Sequence, residues 1–251
     1  MGILRKLGFK NKVERSIDLV ADHLSELYQG KVAHGPFKGM QLPRETWWGT
    51  KDVCSKLIGV YEKQVQDKLE SLAPRASILI DIGAADGYFA VGAVRSGLYQ
   101  RAICFEISER GRQRLRANAE LNGVAENIEI IGEANHDTLA PVLADINDGL
   151  ILCDIEGAEF DLLSEEVLRS ARHFHFIVEL HDAFVADGDQ RRSRLLDRAS
   201  KLFDTEIIRS ADIQVSAFRE LDRFNDSQRL LAFNEGRGAA MEWLVLTPRM
   251  A

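Results

Sequence analysis

A short loop of small and acidic residues follows an apolar run in the middle of the chain, and its composition suits a nucleoside-containing ligand. The apolar run at 78–80 leads into Asp81-Ile82-Gly83-Ala84-Ala85-Asp86-Gly87-Tyr88. The small residues let the backbone approach a ligand closely, and glycine adopts dihedral angles that a β-carbon forbids. A helix starting after Gly87 would present free N–H groups toward the same space. We therefore predict that residues 81–88 form a ligand-binding loop.

Two kinds of cofactor compete for this loop, a dinucleotide such as NAD and S-adenosylmethionine (SAM). A dinucleotide fingerprint counted from Gly83 needs a small residue where this chain has Tyr88. The alternative spacing, acidic-x-Gly-x-Ala-x-Gly, is met by Asp81, Gly83, Ala85 and Gly87. The carboxylates of Asp81 and Asp86 would repel a pyrophosphate, whereas they attract the sulfonium and ammonium groups of SAM. The loop therefore favours SAM.

A carboxylate further along the chain stands where a nucleoside cofactor needs one. Glu106 ends the apolar run 102–105, 19 residues after Gly87. An acidic side chain at that place can accept both ribose hydroxyls, although an ordinary acidic residue opening a helix is the alternative. In the next loop, 132–137, Glu133 and Asn135 are candidates to flank an adenine, and a solvated polar loop is the alternative there.

Acidic residues are concentrated after the fourth apolar run, 150–153. Four carboxylates lie within eight residues, at Asp154, Glu156, Glu159 and Asp161. Asp154 comes at the strand end, so we expect it to face the ligand crevice, near the sulfonium or the methyl acceptor. Glu156 fits either the crevice or a helix cap. Glu159 suits the first turn of a helix, and Asp161 suits its exposed face.

The fifth apolar run ends in Glu179-Leu180-His181-Asp182, where three interpretations stay open. A neutral His181 could remove the proton of a methyl acceptor, since its pKa suits that role near neutral pH. Asp154, His181 and Asp182 could instead bind a divalent cation that lowers the pKa of an acceptor hydroxyl. The third interpretation is that His181 only makes local hydrogen bonds. Asp154, His181 and Asp182 are thus the candidate catalytic residues.

The elements that position these residues alternate regularly along the chain. Apolar runs typical of strands occur at 78–80, 102–105, 128–131, 150–153 and 174–180, and two more candidate strands follow at 205–208 and 243–246. Segments compatible with helices lie at 88–96, 109–121, 138–143, 158–169 and 191–202. This alternation predicts right-handed crossovers and a ligand crevice at the carboxyl ends of the strands. We predict a Rossmann-like α/β fold over residues 77–251, with a doubly wound, mostly parallel, seven-stranded sheet.

Residues 1–76 are predicted to form an N-terminal helical extension. A helix over 12–28 is indicated by the apolar stripe Val13, Ile17, Val20, Leu24 and Leu27. A second, over 60–72, is indicated by Tyr61, Val65, Leu69 and Leu72. We expect the extension to close over the cleft, with lining candidates at Trp47, Trp48, Tyr61 and Glu62. Burial in a small core of their own is the alternative for the two Trp residues.

Composition restricts the partners and the compartment. The net charge of −7 and the isoelectric point near 5.5 disfavour a nucleic-acid partner, which needs clustered Lys and Arg. Three cysteines without metal-ligand spacing suit a reducing compartment. The basic start is followed by no apolar stretch of the kind found in a signal peptide or membrane span. We expect a cytoplasmic protein with a small-molecule partner and no membrane partner. The oligomeric state is not predicted.

Two motifs together resemble the FkbM-type branch of SAM-dependent methyltransferases. They are DIGAADGYFAVG at 81–92 and CDIEGAEFDLL at 153–163. A bacterial subgroup of that branch is similar at GPFKGM (35–40), LIGVYEKQVQDKL (57–69), VELHD (178–182) and MEWLVLTP (241–248). The resemblance implies SAM as the cofactor and methyl transfer, most often to oxygen of a small molecule. One departure is Ala85, where many methyltransferases have glycine.

Three other functions stay open. Methylation of nucleic acid or protein is one, although the charge and the lack of an Asn-Pro-Pro-Tyr motif count against a base acceptor. An NAD-dependent oxidoreductase is another, and Tyr88 with the loop carboxylates fits it poorly. A non-catalytic SAM-binding module is the third, and it would keep the loop and Glu106 without an acceptor pocket.

Overall fold

A computed structural model, which describes residues 11–43 and 51–249, contains one seven-stranded sheet. Its strands are β1 Ile78–Ile82, β2 Arg101–Phe105, β3 Ile128–Ile131, β4 Gly149–Cys153, β5 His175–Leu180, β6 Phe203–Arg209 and β7 Glu242–Pro248. Their order across the sheet is β3-β2-β1-β4-β5-β7-β6. Strands β1 to β5 are mutually parallel, and β7 runs antiparallel to both β5 and β6. The prediction of a doubly wound, mostly parallel sheet is confirmed.

Helices connect the strands and also precede them. They are α1 Lys12–Tyr28, α2 Val53–Ile58, α3 Lys63–Leu72, α4 Tyr88–Arg95, α5 Glu109–Leu121, α6 His136–Asp145, α7 Glu159–Leu162, α8 Glu165–Ser170, α9 Gly188–Ala199 and α10 Asp226–Leu231. The prediction of one continuous helix over 158–169 is wrong. The backbone leaves helical geometry at Leu163, and the Ser164 side chain accepts a hydrogen bond from Val167 N–H, which starts α8 as a separate helix.

The central strands are buried because helices cover them. Strands β4 and β5 are buried along their whole length, whereas the edge strand β3 is mostly half-buried and the edge strand β6 is mostly exposed. A continuous apolar run is expected for a parallel strand covered on both faces. Cys104 and Cys153 pack in this interior as free thiols, as predicted.

The chain divides into two compact units, residues 1–63 with 211–238 and residues 64–210 with 239–251. The second unit contains the whole sheet. In the first unit, the segment between β6 and β7 joins the N-terminal helices, and the ring of Phe224 lies 5.3 Å from that of His23. The division into an extension over 1–76 and a domain over 77–251 stays a prediction.

Helix α1 has the bounds that its periodicity predicts. Its inward face is formed by Ile17, Val20 and Leu24, all of which are buried. Val13 and Leu27, at the two ends of the predicted apolar stripe, are not buried and are each about half exposed. The apolar spacing therefore predicted the helix correctly, but it also predicted burial for two end residues that the structure leaves half exposed. None of the described helices is both long and apolar enough to cross a membrane.

Candidate active site

The loop between β1 and α4 needs glycine at two positions. Gly83 has φ +91°, and a β-carbon there would lie 1.8 Å from the carbonyl oxygen of Asp154. Gly87 has φ +80°, and a β-carbon there would lie 2.8 Å from Cγ of Leu115. Packing against neighbouring segments thus explains these two glycines. Close approach to a ligand, the reason expected from the sequence, is not required for them.

Glu106 holds the loops after β1 and β2 together. Its side chain is buried, with the residue only 7% exposed. One carboxylate oxygen accepts from Ala85 N–H at 2.9 Å, and the other accepts from Ser108 N–H at 2.7 Å. Ala85 has φ +48°, in the left-handed region that non-glycine residues seldom occupy. The carboxylate therefore stabilises an unusual backbone conformation in the loop.

Gly111, which the sequence analysis missed, makes room for Glu106. A β-carbon at Gly111 would lie 2.6 Å from Cγ and 2.8 Å from Cδ of Glu106. Gly111 stands in the first turn of α5, where its N–H donates to the Ser108 hydroxyl that caps the helix. A glycine inside a segment with helical spacing is itself a signal of close packing or function.

Two further carboxylates of the loop are buried, those of Asp81 and Asp86. Burial raises the pKa of Asp81 to about 7, and the charges of Glu106 and Asp86 act in the same direction. A hydrogen bond with the backbone of Ala90 partly opposes the increase in pKa. The loop thus concentrates negative charge in a site with little water, where a cationic ligand group is favoured.

The remaining loop candidates have varied surroundings. Ala84 is buried, and so is Tyr88, whose hydroxyl accepts a 3.4 Å hydrogen bond from Gln66 of α3. Glu133 is exposed after β3. The side chain of Asn135 accepts from Thr138 N–H at 3.1 Å and caps α6. The carbonyl oxygen of the Asn135 side chain is therefore already engaged in a helix cap.

A second cluster of polar side chains forms where β4 and β5 end. Asp154 follows β4, and its N–H donates to the carbonyl of Ile82 at 2.9 Å. His181 follows β5, and its Nε2 lies 3.6 Å from a carboxylate oxygen of Asp154 and 3.6 Å from one of Glu156. These three side chains offer ligand atoms that all lie within 4.8 Å of one another. They could hold a metal ion.

Glu159 lies behind His181. It begins α7 as predicted, yet its side chain is completely buried. Its carboxylate accepts from Gly157 N–H at 2.8 Å and from His181 N–H at 2.9 Å, and it lies 3.4 Å from His181 Nδ1. Burial lowers the pKa of His181, but Glu159, Glu179 and Glu156 outweigh burial, so the pKa is raised overall.

Asp182 is placed differently from its neighbour His181. A carboxylate oxygen of Asp182 lies 3.4 Å from Nη1 of Arg192 in α9, and Arg192 also pairs with Glu242 of β7 at 2.5 Å. The structure therefore brings Asp154 and His181 together with Glu156, and it places Asp182 in a separate ion-pair network. Of the predicted cleft residues, Trp47 and Trp48 lie outside the described residues.

The predicted cleft residue Glu62 is buried in the first unit. It pairs with Arg237 of the same unit, with an Nη2–Oε1 distance of 2.5 Å. Glu62 also has φ +46°, and its N–H donates to Glu235 at 2.7 Å. The role of Glu62 and Tyr61 in lining a cleft stays a prediction.

Comparison with known proteins identifies the fold. No protein-family model matches the chain, and no curated protein sequence matches it. The structure of cofactor-bound Rv0187 from MTB aligns with a TM-score of 0.53 at 15% identity, covering 96% of this chain and 92% of that one. An O-methyltransferase from Bacillus cereus in complex with SAH aligns with a TM-score of 0.51 at 11% identity, covering 95% and 92%. The chain has the Rossmann-like class I methyltransferase fold.

Proposed function

We propose that the chain is a SAM-dependent methyltransferase that acts on an oxygen atom of a small-molecule or sugar-like acceptor. The observation that carries the proposal is the buried carboxylate of Glu106 at the carboxyl end of β2, bonded to the loop after β1. A carboxylate has about four lone-pair sites. Glu106 can therefore accept ribose hydroxyls while it keeps its bonds from Ala85 and Ser108.

The charge of the loop supports SAM over a dinucleotide. Asp81 and Asp86 are buried beside the loop, and both would repel a pyrophosphate. The sulfonium of SAM is positive and is attracted to the same groups. The O-methyltransferase from Bacillus cereus, which has a similar fold, forms a complex with SAH, and this agrees with a SAM-type cofactor here.

Methyl transfer requires alignment more than covalent help. The acceptor oxygen forms a bond to the methyl carbon, the carbon–sulfur bond breaks, SAH leaves, and the acceptor's proton passes to a base or to solvent. Asp154 and His181, at the ends of β4 and β5, are assigned to the acceptor side of the site. Phe184 is 53% exposed and its ring lies 6.2 Å from that of His181, so it offers the acceptor an apolar surface.

Isothermal titration calorimetry with SAM, SAH and NAD tests the cofactor. We expect SAM and SAH to bind and NAD not to bind. Glu106→Ala should weaken SAM binding by about 1–3 kcal/mol, the scale of a hydrogen bond to a charged group. Glu109→Ala is the matched control, because Glu109 begins the helix that follows Glu106 and pairs with Arg112 at the surface. Tighter binding of NAD than of SAM would overturn the proposal.

Radiolabelled SAM tests the acceptor class. Methyl groups should appear in the small-molecule fraction of a metabolite extract, in an ether or ester linkage. Label in RNA, DNA or protein fractions would contradict the proposed acceptor and support the alternative methyltransferase function. SAM binding without transfer to any fraction would support a non-catalytic module.

A further inference from the structure

We propose that Asp154, Glu156 and His181 bind one divalent cation at the carboxyl ends of β4 and β5. Nε2 of His181 is 3.6 Å from each of the two carboxylates, and the three ligand atoms lie within 4.8 Å of one another. Two atoms bound to one ion at about 2.0–2.2 Å each lie at most about 4.4 Å apart, so both 3.6 Å separations suit a shared ion. The site lies wholly within the unit that contains the sheet.

The imidazole of His181 points to a missing partner. The residue is only 4% exposed, and its Nδ1 is buried without a hydrogen bond. Its Nε2 also makes no hydrogen bond to any residue in 11–43 or 51–249, and it faces the two carboxylates of the cluster. A cation bound at Nε2 would give this nitrogen the partner that it lacks, and it would hold Nδ1 as the N–H that faces Glu159.

Glu159 completes the arrangement from the other side of the ring. Histidines that bind metals usually donate their second ring N–H to a carboxylate, which fixes the tautomer and the ring orientation. Glu159 is fully buried, is fixed by two backbone N–H groups, and has an oxygen 3.4 Å from His181 Nδ1. The chain therefore offers a carboxylate on one side of the imidazole and two ligand carboxylates on the other.

Charge also favours a cation here. Within the described residues, neither Glu156 nor Glu159 forms an ion pair with Lys or Arg. The side chain of Glu156 is 68% exposed, so an ion can reach the cluster from solvent. Glu156 has φ +53°, which directs the chain through an uncommon conformation beside Gly157. A bound cation would offset the repulsion among these carboxylates.

The ligand types indicate which cation is bound. Carboxylates suit Mg²⁺, Ca²⁺ and Mn²⁺, and an imidazole suits later transition metals, so two carboxylates with one imidazole favour Mn²⁺. The function of the ion rests on the proposed methyltransferase activity: as a Lewis acid it would lower the pKa of an acceptor hydroxyl. Its binding does not depend on SAM.

Electron paramagnetic resonance tests the site with Mn²⁺ as the probe, because the sharp spectrum of free Mn²⁺ is lost on binding. The full chain should bind one Mn²⁺, and Mg²⁺ at higher concentration should compete. Glu156→Gln should weaken binding about tenfold or more. Asp161→Asn is the matched control, since it removes an exposed carboxylate from the same segment that is not part of the cluster.

Three results would overturn the cation site. They are no Mn²⁺ binding by the unaltered chain, a stoichiometry other than one Mn²⁺ per unaltered chain, and equal affinities for Glu156→Gln and Asp161→Asn. SAM binding is measured on the same samples. SAM binding without Mn²⁺ binding refutes only the cation site, and Mn²⁺ binding without SAM binding refutes only the proposed function. Circular dichroism of each variant checks that it is folded.

Discussion

The N–H of Ala85 and the carboxylate of Glu106 form a 2.9 Å hydrogen bond between residues 21 positions apart in the chain. It joins the loop after β1 to the loop after β2, so one side chain sets the shape of both. Ala85 has φ +48°, and a non-glycine residue in that region costs about 1–2 kcal/mol. The bond from the carboxylate offsets this cost before any cofactor binds, so the loop is preorganised.

Gly111→Ala should weaken SAM binding without unfolding the chain. The new β-carbon would lie 2.6 Å from Cγ of Glu106, which must move because its side chain is more flexible than the helix backbone. Alanine also favours helix by about 0.5–1 kcal/mol over glycine. We expect thermal stability to be retained and SAM affinity to fall by about 1–2 kcal/mol in calorimetry.

Gly132→Ala is the control for this substitution, since a β-carbon at Gly132 meets no atom within 4 Å. It should bind SAM as the unaltered chain does. If Gly111→Ala binds SAM with unchanged affinity, then either the position of Glu106 is unimportant for the cofactor or the side chain adapts without moving its carboxylate.

Gly83→Ala should lower the free energy of unfolding far more than Gly97→Ala, although the two glycines have similar backbone geometry. Gly83 and Gly97 both have positive φ, +91° and +77°. A β-carbon at Gly97 meets nothing within 4 Å, whereas one at Gly83 would overlap the Asp154 carbonyl. The new β-carbon and the Asp154 carbonyl are both fixed to the backbone, so no side-chain rotation can relieve this clash. We expect a loss of about 3–5 kcal/mol from strain and overpacking together.

Gly97→Ala measures the cost of positive φ alone, which is about 1–2 kcal/mol. The free energy of unfolding of the two variants is compared by urea denaturation. Equal losses would mean that the loop after β1 can move away from Asp154, and the close contact between these segments would then have no energetic importance.

Asp81→Asn should stabilise the chain at alkaline pH and not at acid pH. The pKa of Asp81 is raised by burial from 3.8 to about 7, so folding favours its protonated form. The unaltered chain therefore loses stability as pH rises from about 4 to about 7, where the buried carboxyl ionises. Asparagine resembles the protonated acid and avoids this loss, which approaches about 4 kcal/mol at 1.36 kcal/mol per pKa unit.

Urea denaturation at pH 4, 6 and 8 checks the prediction, with Asp161→Asn as the control for removing one carboxylate. The stability difference between Asp81→Asn and the unaltered chain should grow with pH. A difference that is the same at pH 4 and pH 8 would show that Asp81 does not titrate abnormally in the folded chain.

The sheet could be predicted because its strands are encoded locally. A parallel strand covered on both faces typically shows a continuous apolar run, and all five such runs became parallel strands. The two further candidate strands became β6 and β7. The break between α7 and α8 was missed, because Ser164 inside an amphipathic segment can either continue a helix or cap a new one. The joining of residues 211–238 to the N-terminal helices depends on contacts between distant parts of the chain.

The place of the candidate site residues in the fold could be predicted only as far as strand ends position them, and their roles stay a prediction. Asp81 lies near the end of β1, and Glu106, Asp154 and His181 follow β2, β4 and β5, so the carboxyl ends of parallel strands bring them to one edge of the sheet. The ion pair between Asp182 and Arg192 could not be predicted, because it depends on how α9 packs against the end of β5. The buried position of Glu159 depends in the same way on long-range packing. Membership of the FkbM-type branch stays a prediction.

SAM binding should release protons near pH 7, because the sulfonium favours the ionised form of Asp81. With a pKa of about 7, roughly half of the Asp81 carboxyls are protonated at neutral pH before binding. A positive charge nearby lowers that pKa, so up to about half a proton should leave per SAM bound. Calorimetry at pH 7 in buffers with different ionisation enthalpies measures the number. SAH, which lacks the sulfonium charge, should release fewer protons, and Asp81→Asn should release none on binding SAM. Equal release by the unaltered chain and Asp81→Asn would assign the proton to another group and remove Asp81 from the cofactor's electrostatic environment.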